Sequence, residues 1–303
     1  MKTPSGENVS VWLATADWLQ PPPLFGTATA DVCVVGAGIA GITTAYMLAL
    51  NGSSVIVIDD GAIGSGETHH TTAHLTNALD DRYYELERLH GAHGATLAAK
   101  SHTAAIETIE EIAGRENIDC DFERMDGYLF VPPGKSTDVL DRELAAARRA
   151  GVEVEYVEHV PVDFHNFGPA LRFPRQGQFH VLKYLNGVAA AVKRLGGQIY
   201  GNTHATHIEG GKSPRVETAT GAEIRARAIV VATKLAAPLL VASLVIGVVV
   251  SVFQTITQIQ EMSLTFVPKL VGVAVIVVVA GSWMMRELTG WVTALWRMIP
   301  TLI

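Results

Sequence analysis

The chain has 303 residues and a formal net charge of −7, so it has room for one large domain or two ordinary ones and no basic excess that would favour nucleic-acid binding. Two cysteines, Cys33 and Cys120, are too few for a disulfide framework or a cysteine-based zinc site. All 11 histidines precede residue 234, and residues 234–303 hold only six charged side chains: Lys234, Lys269, Arg286, Arg297, Glu261 and Glu287. This contrast predicts a water-soluble first part and a membrane-embedded second part.

Residues 1–30 are predicted to form an irregular N-terminal arm. Three consecutive prolines, at positions 21–23, exclude a helix across them. The start of the chain lacks an apolar stretch long enough for a secretory signal. We therefore expect residues 1–233 to stay in the cytoplasm.

A strand, a helix and a second strand are predicted next. The short apolar run at 31–35 predicts a buried strand, in which Cys33 is a core residue. Residues 39–50 have the apolar spacing of a helix, which Asn51 and Gly52 would end. A second buried strand is predicted at 55–58.

Later elements are predicted by apolar spacing and by the glycines that follow it. They are helices over 80–113 (broken near Gly91 and Gly94), 135–150 and 182–195, and strands over 124–132, 152–157 and within 198–233, the last of them at 228–232. This order predicts an α/β fold, with a Rossmann-type βαβ unit and an inserted mixed α+β region.

Three glycines join the first strand to the first helix in the pattern Gly36-x-Gly38-x-x-Gly41. We expect Gly36 to form the tight turn, Gly38 to let backbone N–H groups approach a diphosphate, and Gly41 to let helix and strand pack closely. The helix N-terminus favours an anion there. Asp59 ends the second strand, where a carboxylate accepts hydrogen bonds from the ribose of an adenine dinucleotide and disfavours a 2′-phosphate. The pattern predicts a dinucleotide site; a glycine-rich turn without ligand is the alternative.

The segment after Asp59 favours FAD over NAD. Residues 61–76 (GAIGSGETHHTTAHLT) form a small, hydroxyl-rich loop that offers backbone and Ser/Thr donors to a flavin diphosphate and ring edge. A polar surface loop is the alternative interpretation.

Three segments carry a family resemblance. Residues 31–76, the LRFPRQGQFH-x-LKYLNG stretch at 171–187 and the strand ending in V-V-A-T233 resemble the FAD-dependent oxidoreductases of the D-amino-acid oxidase (glycine oxidase-like) superfamily. They are most similar to a bacterial subfamily that often carries a C-terminal Rieske domain. The resemblance covers about residues 30–233. It implies FAD that accepts a hydride as an amine or amino acid is oxidised at its C–N bond.

The resemblance also implies site residues. Motif match assigns Gly36, Gly38, Gly41 and Asp59 as FAD ligands. Beyond the motif, we expect Ser65, Thr71 and Thr72 to contact the flavin side. The resemblance names no catalytic general base. Members of the superfamily continue well beyond the V-V-A-T strand, so we expect 31–233 to be a C-terminally truncated flavin domain, without the cysteine and histidine pairs of a Rieske cluster.

We predict no metal site. Histidines at i and i+3 of a strand face opposite sides, and no carboxylate pattern accompanies the others. We interpret all of them as surface or loop residues: His69, His70, His74, His90, His93, His204 and His207.

Residues 234–303 are predicted to form a two-helix membrane hairpin. The stretch 235–253 holds 19 residues without a charge, and 264–285 is a second apolar run with Lys269 near its start. Either run is long enough to span a bilayer as a helix. The short polar segment 254–263 between them forces an antiparallel hairpin; two buried helices of a globular domain are the alternative.

This last segment resembles FliQ, the small hairpin subunit of the flagellar (type III) protein export gate. The V-F-Q-x-x-T-Q-I-x-E-x-S-x-x-F-x-P-K pattern at 252–269 carries the resemblance, which covers about 235–303. The resemblance implies that this segment lies in the lipid bilayer of the inner membrane and contacts other subunits of the export gate. Gln254, Gln258 and Glu261 would face the cytoplasm.

The two resemblances conflict in topology. A cytoplasmic hairpin loop puts both helix ends across the membrane, while the flavin domain has no route for export. We therefore hypothesise that the chain joins two unrelated genes near residues 233–235. The main prediction is a flavin oxidoreductase joined to a membrane segment; the alternative is an export-gate subunit carrying a non-functional flavin remnant.

Overall fold

The centre of the fold is a parallel sheet with apolar residues on both faces. The computed structural model describes residues 9–131, 136–161 and 168–233. The chain divides into two units after Ala232, and almost all of the described residues belong to the first unit. All four residues of the strand Val55–Ile58 are buried, as are the last four of the strand that ends at Val35. Such continuous burial is typical of parallel strands covered on both sides.

The described elements alternate between strands and helices over most of the chain. The strands are β1 (Thr27–Val35), β2 (Val55–Ile58), β3 (His74–Leu75), β4 (Glu123–Phe130), β5 (Glu155–Val157), β6 (Ala170–Gln178), β7 (Gln198–Tyr200), β8 (Ala205–Glu209), β9 (Arg215–Thr218) and β10 (Glu223–Val231). The helices are α1 (Val11–Thr15), α2 (Ile39–Leu50), α3 (Tyr83–Arg115), α4 (Asp138–Ala150) and α5 (Val181–Arg194), with a short 3₁₀ helix at Glu67–His70.

Two sheets organise these elements. The first has the order β7-β2-β1-β10-β9-β8, parallel from β7 to β10 and antiparallel beyond. Helices α2 and α5 cover one face of it, with Tyr46, Leu185 and Val188 in the shared core. The second sheet is antiparallel, with β6 paired to β3, β4 and β5. Helices α3 and α4 pack on it around Leu171 and Phe173.

This architecture confirms the predicted α/β fold with an inserted mixed region. The helix at 39–50 and the strand at 55–58 have the predicted bounds. Gly151 ends α4 in the left-handed conformation (φ 87°), as a glycine after a helix often does. Cys33 is fully buried, and burial raises the pKa of its thiol to about 12.

Several predicted elements differ from the structure. The N-terminal arm is not wholly irregular, because Ser10 caps α1 and β1 begins at Thr27. Gly91 breaks α3 with φ 71°, whereas Gly94 does not. Strand β5 is shorter than predicted. Strand β6 forms where no strand is predicted, and it contains Pro174 and Gly177, which are both unfavourable inside a strand.

The predicted membrane hairpin at 235–285 lies outside the described residues. Within the ranges that the structure does describe, no helix combines the length and the apolar character needed to cross a bilayer.

Candidate functional site: the glycine turn and the loop that covers it

The glycine turn lies where the carboxyl ends of β1, β2 and β10 meet. Gly36 has φ 112° and donates its N–H to Ile58 O at 2.8 Å, which joins the end of β1 to β2. A Cβ on Gly41 would lie 1.8 Å from Gly36 O, so only glycine permits this approach of α2 to the turn. Ala232, directly after β10, packs against the same point and donates its N–H to Val35 O at 2.7 Å.

Asp59 faces the glycine turn. Its Oδ2 accepts the N–H of Ala37 at 2.6 Å, and its Oδ1 accepts the N–H of Gly61 at 2.9 Å. Burial raises the pKa of this carboxyl, and the charge of Asp60 raises it further; the two backbone donors oppose that shift. A carboxylate has about four acceptor positions, so the side chain retains acceptors for further hydroxyl donors.

Thr68 lies over the N-terminus of α2. The 3₁₀ helix Glu67–His70 turns its hydroxyl inwards, where Oγ1 accepts the N–H of Ile39 at 3.2 Å. A Cβ on Gly38 would lie 3.0 Å from the same oxygen. The Thr68 O–H is left to donate, because a hydroxyl both accepts and donates. The first turn of α2 also contains no acidic residue that would repel an anion.

The other predicted loop residues occupy different positions. Ser65 is half-buried with its Oγ over Gly61, next to Asp59. Thr71 is exposed, and its Oγ1 accepts the N–H of Ala73 at 2.8 Å within a local turn. Thr72 is exposed as well. The structure therefore brings Gly36, Gly38, Gly41, Asp59 and Ser65 together, and leaves the hydroxyls of Thr71 and Thr72 outside this group.

A buried amide fixes the far end of the loop. Gln176 in β6 is 3% exposed, and its Oε1 accepts the N–H of Asn77 and the hydroxyl of Thr76, both at 2.8 Å. Its Nε2 donates to Asn77 Oδ1 and to Pro174 O. The amide is thus fully used, and it ties the loop to the second sheet.

The geometry fits a dinucleotide diphosphate. The positive end of α2, the absence of a side chain at Gly38 and the hydroxyl of Thr68 form a cradle for phosphate oxygens. Asp59 stands at the carboxyl end of the neighbouring strand, where a ribose would lie. A Cβ at Gly38 or Gly41 would fill this cradle or push α2 away from it.

Sequence reasoning missed Thr68 and Gln176. The hydroxyl-rich loop signalled that some Ser or Thr would line the site, but the choice of Thr68 depends on the 3₁₀ turn that orients it. Gln176 lies in the 171–187 stretch that carries the family resemblance, but its contacts could not be predicted, because its partners lie 99 and 100 residues away. Among the described residues, no three side chains suited to ligate a metal lie together.

Comparison with known families places most of the chain in one group. The model of the FAD-dependent oxidoreductase family (DAO) matches residues 31–283. The Bacillus subtilis protein YhfW, whose name describes a Rieske 2Fe-2S iron-sulfur protein, is 32% identical over 219 residues, which are 72% of this chain and 43% of YhfW. Gamma-glutamylputrescine oxidoreductase of Escherichia coli is 28% identical over 229 residues, which are 74% of this chain and 53% of that protein. The chain spans about half the length of these relatives.

Solved structures share the fold at low sequence identity. Glycine oxidase from Geobacillus kaustophilus has a TM-score of 0.57 and 22% identity, over 68% of this chain and 55% of that one. L-Amino acid deaminase from Proteus myxofaciens has a TM-score of 0.60 and 16% identity, over 76% and 51% of the two chains.

A separate similarity concerns a different class of protein. A 76-residue stretch, 25% of this chain, is 45% identical to the flagellar biosynthetic protein FliQ of Salmonella typhimurium and covers 85% of it.

Proposed function

The chain belongs to the FAD-dependent oxidoreductase family, and we propose that its first 233 residues bind FAD and use it to oxidise an amine or amino acid. One observation carries the proposal: Asp59 accepts the N–H of Ala37 inside the glycine turn, at the N-terminus of α2, where Gly38 provides no side-chain cap. Bound FAD would accept a hydride equivalent from the carbon that carries the amine, and the nitrogen would lose a proton, which leaves an imine.

Different residues of the site would bind different parts of FAD. Gly36, Gly38 and Gly41 would admit the diphosphate to the amides of α2, and Asp59 would accept hydrogen bonds from the ribose of the adenosine half. The contacts of Ser65, Thr71 and Thr72 on the flavin side stay a prediction. Thr68, which sequence reasoning did not single out, would donate its hydroxyl to a phosphate oxygen.

The substrate class is proposed from the relatives. The E. coli relative is named as an oxidoreductase of gamma-glutamylputrescine, which is an amine. The two solved structures are named as enzymes of glycine and of L-amino acids. The chain spans about half of these proteins, so the activity is a proposal for this chain and not a property carried over. No residue described here is proposed as a general base.

Flavin titration of the full chain tests this function. We expect the purified protein to bind FAD in a 1:1 ratio, seen as quenched flavin fluorescence, and to bleach the flavin band anaerobically with one member of a panel of amines and amino acids. Asp59→Asn should weaken FAD binding much more than the matched neighbour Asp60→Asn does, because Asp60 is exposed and acts on Asp59 mainly through its charge. A wild-type chain that retains no FAD contradicts the proposal.

We also propose that residues 234–303 form a membrane segment of the FliQ type, in the inner membrane and in contact with export-gate subunits. The 45% identity over most of FliQ supports it. We expect the full chain to sediment with membranes and to be released by detergent but not by salt; release by salt alone would contradict the proposal.

The hypothesis of two joined genes has its own test. One contiguous sequencing read across the locus separates a join made by genomic rearrangement from one made by sequence assembly. Two separate reading frames at residues 233–235 would end the idea of a real fusion protein, and an uninterrupted frame there would support rearrangement.

A further inference from the structure

The residues before β1 lie across the loop that covers the glycine turn. We name residues 10–25 the strap and residues 61–76 the cofactor loop. The indole Nε1 of Trp12 donates to Thr71 O at 2.9 Å, and that of Trp18 donates to Ile63 O at 3.2 Å. The N–H of Ile63 in turn donates to Leu19 O at 3.2 Å. The strap therefore holds the backbone of the cofactor loop near its start, at Ile63, and again past its middle, at Thr71.

These anchors bracket Thr68. Ile63 lies five residues before it and Thr71 three residues after it, with the 3₁₀ helix between them. Thr68 Oγ1 meets the N–H of Ile39 only while that short helix keeps its position over α2. A 3₁₀ helix of four residues has little stability of its own, so contacts from outside the loop decide where it lies.

The strap is fixed on its other side to α5 and to a turn near β8. Thr15 Oγ1 pairs with His180 Nε2 at 2.9 Å, and Asn186 Nδ2 donates to Asp17 O at 2.7 Å. Further along, the N–H of Leu24 donates to the buried Thr203 Oγ1 at 3.0 Å. The strap thus connects the framework of the first sheet to the cofactor loop.

We propose that Trp12 and Trp18 are positioning residues for bound FAD, acting through the cofactor loop. Each indole has a single N–H, and each N–H is used on a loop carbonyl. Loss of these two bonds would free the loop to move away from α2, so that FAD would dissociate faster. This inference rests on the proposed binding of FAD by the same site.

The variants Trp12→Phe and Trp18→Phe test the inference, because each keeps an aromatic ring and removes only the N–H donor. The FAD dissociation rate of the full chain is measured, together with amide hydrogen exchange of the cofactor loop in the FAD-free protein. We expect dissociation about tenfold faster in the double variant, equivalent to about 1.4 kcal/mol, and faster exchange at 61–76 in each variant. Trp18 is 42% exposed, so its single variant should fold normally.

Tyr200→Phe is the matched control, since it also removes one hydrogen bond from an aromatic side chain, here to Gln198 Oε1 on the same strand. It should leave both measurements unchanged. Wild-type FAD retention with unchanged dissociation and exchange in the tryptophan variants overturns the strap proposal alone. A wild-type chain that holds no FAD overturns the proposed function, and with it any role of the strap in FAD retention.

Discussion

At the scale of single residues, Gly41 is the described glycine with the least space for a side chain. A Cβ there would lie 1.8 Å from a backbone oxygen of the turn, which no side-chain movement can relieve. We expect Gly41→Ala to displace α2, to lower the free energy of unfolding by about 1–3 kcal/mol and to abolish FAD binding. Chemical denaturation and flavin titration measure the two effects.

Gly114→Ala is the matched control for Gly41→Ala, because Gly114 also lies in a helix, α3, and has no heavy atom within 4 Å of an added Cβ. This variant should be as stable as wild type or more stable by up to about 1 kcal/mol. Equal FAD binding by the two variants would contradict the role given to Gly41.

Asp59 is a second residue at which a substitution should change FAD affinity. In the Asp59→Asn variant a single carbonyl oxygen replaces the two carboxylate oxygens that accept the N–H groups of Ala37 and Gly61. One buried N–H would lose its acceptor, at a cost of about 1–3 kcal/mol. The same single oxygen would also have to accept the ribose hydroxyls, so we expect at least a roughly tenfold weaker FAD affinity, equivalent to about 1.4 kcal/mol of binding free energy, and a much smaller change in Asp60→Asn. If the Asp59→Asn variant bound FAD as tightly as wild type, this carboxylate would have no part in holding the cofactor.

At the scale of elements, α5 begins at a histidine. His180 Nδ1 accepts the N–H of Lys183 and caps the helix, while its Nε2 faces Thr15 of the strap. Burial lowers the pKa of His180, the charge of Lys183 lowers it further, and the charge of Asp121 opposes them. A proton on Nδ1 would remove the capping acceptor, so the neutral imidazole is the form that suits this helix.

The pH dependence of stability follows from that shift. Below 6.5, the ordinary pKa of the side chain, the unfolded chain binds a proton that the folded chain resists. The contribution of His180 is therefore complete above 6.5 and lost as the pH falls towards the lowered pKa. His180→Asn keeps a capping side chain without a titratable group, and its melting temperature should fall less steeply with acidity. Parallel pH profiles of the two proteins would contradict this assignment.

The N-terminus of helix α3 is capped by a side chain from the neighbouring helix α4. Arg82, just before its first turn, has φ 60° and gives no side-chain cap. Instead Glu143, 1% exposed and on α4, accepts the N–H of Tyr84. Burial raises the pKa of Glu143, and the backbone donors of Tyr83 and Tyr84 oppose that shift. The start of α3 therefore depends on α4, which pattern reasoning on α3 alone cannot show.

At the scale of the whole molecule, FAD should stabilise the fold that it binds. At a concentration of about 100 times Kd, binding adds about 2.7 kcal/mol, which corresponds to a rise of roughly 5–10 °C in melting temperature for a domain of this size. NADP⁺ at the same concentration should give no rise, because Asp59 would repel its 2′-phosphate. Equal stabilisation by both nucleotides would contradict the assignment of Asp59 to the ribose.

The sequence alone determined the βαβ unit. Strand, glycine turn, helix, second strand and Asp59 are contiguous, so local propensity, the conformations open to glycine and the direction of the chain fix their arrangement. The change to an apolar composition after residue 233 is equally local.

Tertiary structure decided what depends on residues far apart in sequence. It brought β10 beside β1, set Gln176 against Asn77, and placed the indoles of the strap on the cofactor loop. It also turned Thr68, rather than Thr71 or Thr72, towards α2. A loop of polar residues has no periodicity from which its inward side can be predicted, because its conformation is set by the surfaces that close on it.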